Sequence, residues 1–174
     1  NGPRDPDGVV RRVPMVVGFS YFNSVTREEK RVFVPSFSLT ACLLHLGCTF
    51  PLAPGTVRVS MGEEIVIHTP KRGEYRIPID NHGSLYLNYV SKLNDFDSMG
   101  FLEVTPSPSL PKSQRDDIAR RLRRHIDGRI VLVGVTATGV DVGNCPLSPN
   151  TPLVYVHLTA INNILNQSYI APIS

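Results

Sequence analysis

The sequence has no uninterrupted apolar run of membrane-spanning length. Its longest apolar-rich stretch, Ile130 to Val140, is broken by Gly134, Thr136, Thr138 and Gly139, and falls well short of the roughly 20 residues that a spanning helix needs. Cysteine is also scarce. Cys42, Cys48 and Cys145 are an odd set with no Cys-x-x-Cys pair and no zinc-ligand spacing, which leaves either one disulfide or three buried thiols and does not decide the compartment. The signatures of several functional classes are missing as well. Gly134-Val-Thr-Ala-Thr-Gly139 lacks both the Gly-x-Gly-x-x-Gly order and the Gly-Lys-Ser/Thr ending of a nucleotide loop. Asp5-Pro-Asp7-Gly8 lacks the twelve-residue calcium-loop pattern and reads as an Asp-Gly turn. No Gly-x-Ser-x-Gly elbow accompanies Asp141 and His157, so the default role of that pair is a hydrogen bond pinning a loop to a helix rather than catalysis. The reading is therefore of a non-enzyme, with no catalytic residue, no cofactor and no metal.

What is present is an ordinary globular composition. The 174 residues are 41% hydrophobic and 19% charged, enough for one domain, 1–174, that buries roughly 70% of the surface its unfolded chain exposes. The formal net charge is +3 and much of the basic excess sits between Arg115 and Arg124. That run has no interleaved aromatics and no nucleic-acid motif, so a nucleic-acid partner is not expected; a solvated helix face explains it as well as a ligand would, and an anionic membrane surface is a more plausible partner than nucleic acid. The chain has no initiating Met and no signal-like start, and reads as a piece of a larger protein.

Local patterning suggests an antiparallel half followed by a helical layer. Val13 to Val25 and Arg31 to Val34 form a hairpin across the polar Thr26 to Lys30. Pro35 and Ser36 open a helix with Leu39, Cys42, Leu43 and Leu46 on one stripe, closed by Gly47. Thr56 to Ser60 and Glu64 to His68 make a second hairpin, with further strands at Tyr75 to Ile79 and Ser84 to Val90. Ser113 can cap a helix with Ile118, Ala119, Leu122 and Ile126 on one face and arginines on the other. Arg129 to Gly134 then reads as a central strand covered on both faces, a long loop runs to Thr151, and a final helix spans about Pro152 to Asn166. The expected fold class is α/β: a mixed sheet with an antiparallel half and a helix–strand–loop–helix layer in a single domain.

In this order the residues resemble a known family, the second type of CHASE domain, a sensory extracellular module associated with cyclases and histidine kinases. The resemblance rests on Asp5-Pro-Asp-Gly-Val-Val-Arg-Arg12 with Pro14, Pro35 to Leu39, Ile77-Pro-Ile-Asp80 with Gly83, and Gly128-Arg-Ile-Val-Leu-Val-Gly-Val-Thr-Ala137. Asp141, Pro146, Val156-His157 and Ala160-Ile-Asn-Asn-Ile-Leu165 complete it. It implies an extracytoplasmic domain, on the periplasmic or extracellular face of a bacterial membrane, held between membrane helices and feeding a cytoplasmic cyclase or kinase. Two departures stand out. Family members usually carry a further α/β stretch ahead of the Asp-x-Asp-Gly segment, and the usual Pro-Gly before the last helix is here Thr151-Pro-Leu-Val154. The resemblance transfers no catalytic residue and no ligand.

The carboxyl end of a central strand is where open α/β sheets bind ligands. Thr136, Thr138 and Asp141, joined by Asp80 and Asn88 from the hairpin, are accordingly the expected site for an unidentified small-molecule or environmental ligand. The competing expectation is a dimerisation or partner-docking scaffold, such as a homodimer, without a small-molecule site.

Overall fold

A computed structural model describes residues 5–70, 72–136 and 140–170. The chain begins with the Asp-Gly turn: Gly8 lies at φ +78° and its N–H donates to the Asp5 carbonyl at 2.8 Å. The two arginines that follow are spent on neighbouring carboxylates. Arg11 pairs with Asp5 and Asp7, and Arg12 with Asp5 and, at 3.3 Å, Asp80. The exposed Asp7 carboxyl is held at about 2, chiefly by the Arg11 guanidinium. This network fixes the first strand, β1 (Arg12–Pro14), against β7 (Ser84–Tyr86), which it meets antiparallel with Val13 opposite Leu85.

The other antiparallel elements follow the expected alternation. Strands β2 (Val16–Asn23) and β3 (Glu28–Pro35) form the first hairpin, with Val17 opposite Val34 and Phe19 opposite Val32. Strands β4 (Val57–Ser60), β5 (Glu64–Thr69) and β6 (Gly73–Pro78) make a three-stranded meander whose central Ile65-Val-Ile67 is fully covered. Helix α1 (Phe37–His45) is capped by Ser36, whose Oγ accepts from the Leu39 N–H at 3.4 Å, and ends at Gly47, φ +86°. A side-chain N-cap of this kind is worth about 1 kcal/mol.

A ladder ends at Tyr86, three residues into the stretch read as a strand to Val90, for a reason visible in the last helix. Helix α4 (Val154–Asn166) carries Asn163, completely buried, whose Oδ1 accepts from the Asn88 N–H at 2.8 Å and whose Nδ2 donates to the Asn88 carbonyl at 3.0 Å. One amide thus replaces a strand partner: it satisfies the Asn88 N–H, which would otherwise be left unpaired, and shares the Asn88 carbonyl with the Val90 N–H. Tyr89 adds a 2.8 Å bond to the Val10 carbonyl, and Tyr155 bonds the Ser91 carbonyl. Leu39, Cys42 and Leu43 of α1 pack with Tyr155, Ala160 and Ile164 of α4 and with Met15, Ile65, Ile77 and Leu85 in one core. All three cysteines are free and buried, which settles the alternative left by their spacing.

The α/β class holds, but the sheet is not one mixed layer. Among the described residues the strands fall into four small antiparallel sheets, supplemented by a parallel bridge between Val9 and Asn144. The long loop to Thr151 contains an unexpected hairpin, β8 (Val142–Cys145) with β9 (Ser148–Pro152). Two further expectations need correction, and one short helix is unanticipated. The basic helix α3 spans Lys112–Ile126 with Pro111, not Ser113, at its cap, and none of its residues is buried. A short helix α2 (Phe101–Val104) precedes it. Arg129 to Gly134 is not a covered central strand: among the described residues no backbone hydrogen bond reaches 130–136, and Val133 is 89% exposed. Of this run Ile130 and Leu132 lean on the core, so it has one face against protein and, among the described residues, no strand on either side.

Candidate functional site

A cleft of about 500 Å³ opens where this extended segment crosses the first turns of α1 and α4. Its apolar lining comes from Val10, Val13 and Val17, from Leu132 to Gly134, and from Leu153, Val154 and Val156. Close contact builds the crossing. A Cβ on Gly134 would stand 2.7 Å from the Val154 Cβ, and one on Gly143 would stand 2.7 Å from the Leu153 Cδ2. Glycine at these two positions lets the segment and the β8 backbone lie against the start of α4.

The ionisable groups on the cleft wall are Asp141 and His157. Asp141 sits at φ +48°, and its carbonyl accepts from the Leu153 N–H at 2.8 Å, so its backbone holds the residue that begins α4 while its side chain stays exposed. His157 does not bond Asp141, as expected from sequence, but shares a 2.9 Å hydrogen bond between Nδ1 and the Ser38 hydroxyl, and the Phe37 ring meets it edge-on at 5.2 Å. The imidazole therefore joins α4 to α1 rather than to the loop. Burial holds it below the usual histidine range, and the nearby Asp141 carboxylate partly opposes that. Neutral imidazole follows at pH 7. Ser38 is itself buried in the helix interface, out of reach of a substrate.

Of the residues expected to form a site, the cleft contains Asp141. Asp80 lies elsewhere: its Oδ1 accepts from the His82 and Ser84 N–H groups, both at 2.9 Å, and Oδ2 faces Arg12. It anchors the turn before β7, where Gly83, at φ +76°, leaves no space for a Cβ against Val16. Asn88 has its backbone strapped to Asn163. Thr136 is exposed beside the cleft-lining segment but is not part of the wall, and Thr138 lies outside the described residues. Sequence reasoning missed His157's bond to α1 and the role of Asn163. The signal for the latter was an asparagine between Ala160 and Ile164 on the apolar stripe of α4, where an unpaired amide would be costly.

No curated protein and no solved structure matches the chain. A family model, the CHASE2 domain, matches residues 1–173. Among the described residues no helix is long and apolar enough to cross a membrane. With that match spanning essentially the whole sequence, the chain belongs to the CHASE2 domain family, whose members are extracellular sensory domains of signalling receptors.

Proposed function

We propose that this chain receives a signal for a transmembrane receptor on the extracytoplasmic side and passes it to a cytoplasmic cyclase or kinase, with the Asp141 cleft as the receiving site. The observation that carries the reading is the composition of the cleft wall. It combines an apolar lining with a carboxylate and a neutral imidazole, and three of its lining residues, Val154, Val156 and His157, belong to α4 itself. Occupying such a cleft acts on the helix that follows it with no intermediate element. Asp141 orients the ligand's donor group, and His157, through Ser38, couples α4 to α1. Asp80 and Asn88 support the surrounding backbone. A ligand shifts this arrangement only by its difference in affinity for two positions of α4.

A thermal-shift screen of small polar metabolites tests the site. At a concentration 100-fold above its dissociation constant, a ligand of the folded state stabilises by about 2.7 kcal/mol, and Asp141→Ala should abolish that gain while leaving the unliganded transition in place. Stabilisation that survives the substitution would remove Asp141 from the site.

A second reading, a dimerisation scaffold, is favoured by the β2–β3 ribbon. Among the described residues its two strands pair only with each other, and Phe19, Phe22 and Val25 are 54%, 67% and 89% exposed. An apolar ribbon of this kind is material for an isologous contact. Sedimentation across a wide concentration range separates the readings, since the scaffold alone requires association that Phe19→Ser and Phe22→Ser weaken.

A further inference from the structure

The positive charge of this protein is concentrated on one element. Helix α3 carries Lys112, Arg115, Arg120, Arg121, Arg123 and Arg124 against Asp116 and Asp117, so its own excess of four exceeds the +3 of the whole chain and the remainder is slightly acidic. Of the cations of this helix, Arg120 alone has an ion-pair partner among the described residues, Asp117. The other cations reach solvent, and no residue of the helix is buried. A helix that served only as a solvated cationic face would have no use for an apolar stripe. This one has Ile118, Leu122 and Ile126 four residues apart, none of them among the residues packed on the core; Ile118 and Leu122 are half-buried and Ile126 is 40% exposed. Just before it, α2 presents Phe101 at 70% and Leu102 at 86% exposure.

We propose that α2 and α3 seat the domain on an anionic lipid surface. The two halves of the pattern point to the same partner. Guanidinium groups beside an apolar stripe match the boundary between phospholipid headgroups and acyl chains, where the stripe enters and the cations stay with the phosphates. Phe101 and Leu102 supply apolar side chains for the same boundary. A dissolved polyanion such as a nucleic acid would satisfy the arginines but offers nothing to Phe101, Leu102 or Ile126. The contact does not depend on the cleft or on the receptor reading. It would set the orientation of the domain rather than carry the signal.

Co-sedimentation of the full chain with phosphatidylcholine vesicles, with and without phosphatidylglycerol, tests the proposal at low ionic strength. The expected result is binding that requires phosphatidylglycerol. It should weaken by at least about tenfold in the triple variant Arg121→Glu, Arg123→Glu, Arg124→Glu, since each cation near an anionic surface counts separately. A smaller loss is expected in Phe101→Ser, Leu102→Ser. All five positions are exposed, and an unchanged thermal transition verifies that the variants fold. No binding to phosphatidylglycerol vesicles overturns the proposal. So does binding that the apolar pair does not affect together with equal affinity for heparin, which would make α3 a site for soluble polyanions.

Discussion

Helices α1 and α3 have the same kind of sequence signature and opposite fates. Each places apolar residues at helical spacing, and each forms over the range that spacing indicates. The α1 stripe meets α4, and Leu39, Cys42 and Leu43 are completely buried. The α3 stripe is not among the residues packed on the core: Ile118 and Leu122 are half-buried and Ile126 is exposed. Two apolar runs repeat the contrast. Ile65-Val-Ile67 lies between β4 and β6 and is covered, whereas Ile130 to Val133 has no strand beside it and Val133 faces solvent. Periodicity identifies an element and its apolar side. Whether that side is buried depends on a partner that the local pattern does not specify.

The largest expected difference comes from truncating matching leucines. Leu43→Ala should cost about 3 kcal/mol, the usual range for a fully buried leucine being roughly 2–5, and Leu122→Ala on α3 less than about 1. Urea unfolding of both variants measures it, and equal losses would mean that the α3 stripe is covered in solution. Next is Asn163→Leu on α4. The substitution fits an apolar neighbourhood but leaves the Asn88 N–H without a partner and its carbonyl with the Val90 N–H alone, at about 2 kcal/mol. Faster amide exchange at Asn88 would locate the effect, and an unchanged stability would show that water or a backbone shift replaces the amide.

These comparisons mark what was legible in the sequence. Helix α1, the β2–β3 and β4–β5 hairpins and α4 were readable because β-branched and apolar residues recur there at clean periods, with Ser36 and Gly47 closing α1. The β8–β9 hairpin was not, because Val142-Gly-Asn-Cys145 and Ser148-Pro-Asn-Thr-Pro152 contain few good strand formers and owe their pairing to contacts with the chain's start and with α4. The environment of the Arg129 to Gly134 run was not legible, because four consecutive apolar residues, Ile130 to Val133, imply burial but not which neighbour provides it. In the site, Asp141 was legible from its place after the apolar run. The Ser38–His157 and Asn88–Asn163 bonds were not, since they join residues 119 and 75 positions apart.

A smaller effect separates the α1–α4 joint from the solvent-exposed helix by pH. Burial lowers the His157 pKa below the ordinary 6.5 that it regains on unfolding. As pH falls, the unfolded chain takes up the proton first, so this contribution to stability is complete above about 6.5 and drains as pH drops from there toward the folded value. His157→Gln should flatten that part of the stability profile. An unaltered slope would assign the pH dependence to another group.

The most direct measurement follows amide hydrogen exchange in the full chain with and without a compound that stabilises it in the screen. If the cleft receives the signal, Val154 to His157 at the start of α4 gain protection, Asp141→Ala removes the gain, and α3 exchanges at the same rate in every case. Protection appearing on α3 or the β2–β3 ribbon, with α4 unchanged, would contradict the account.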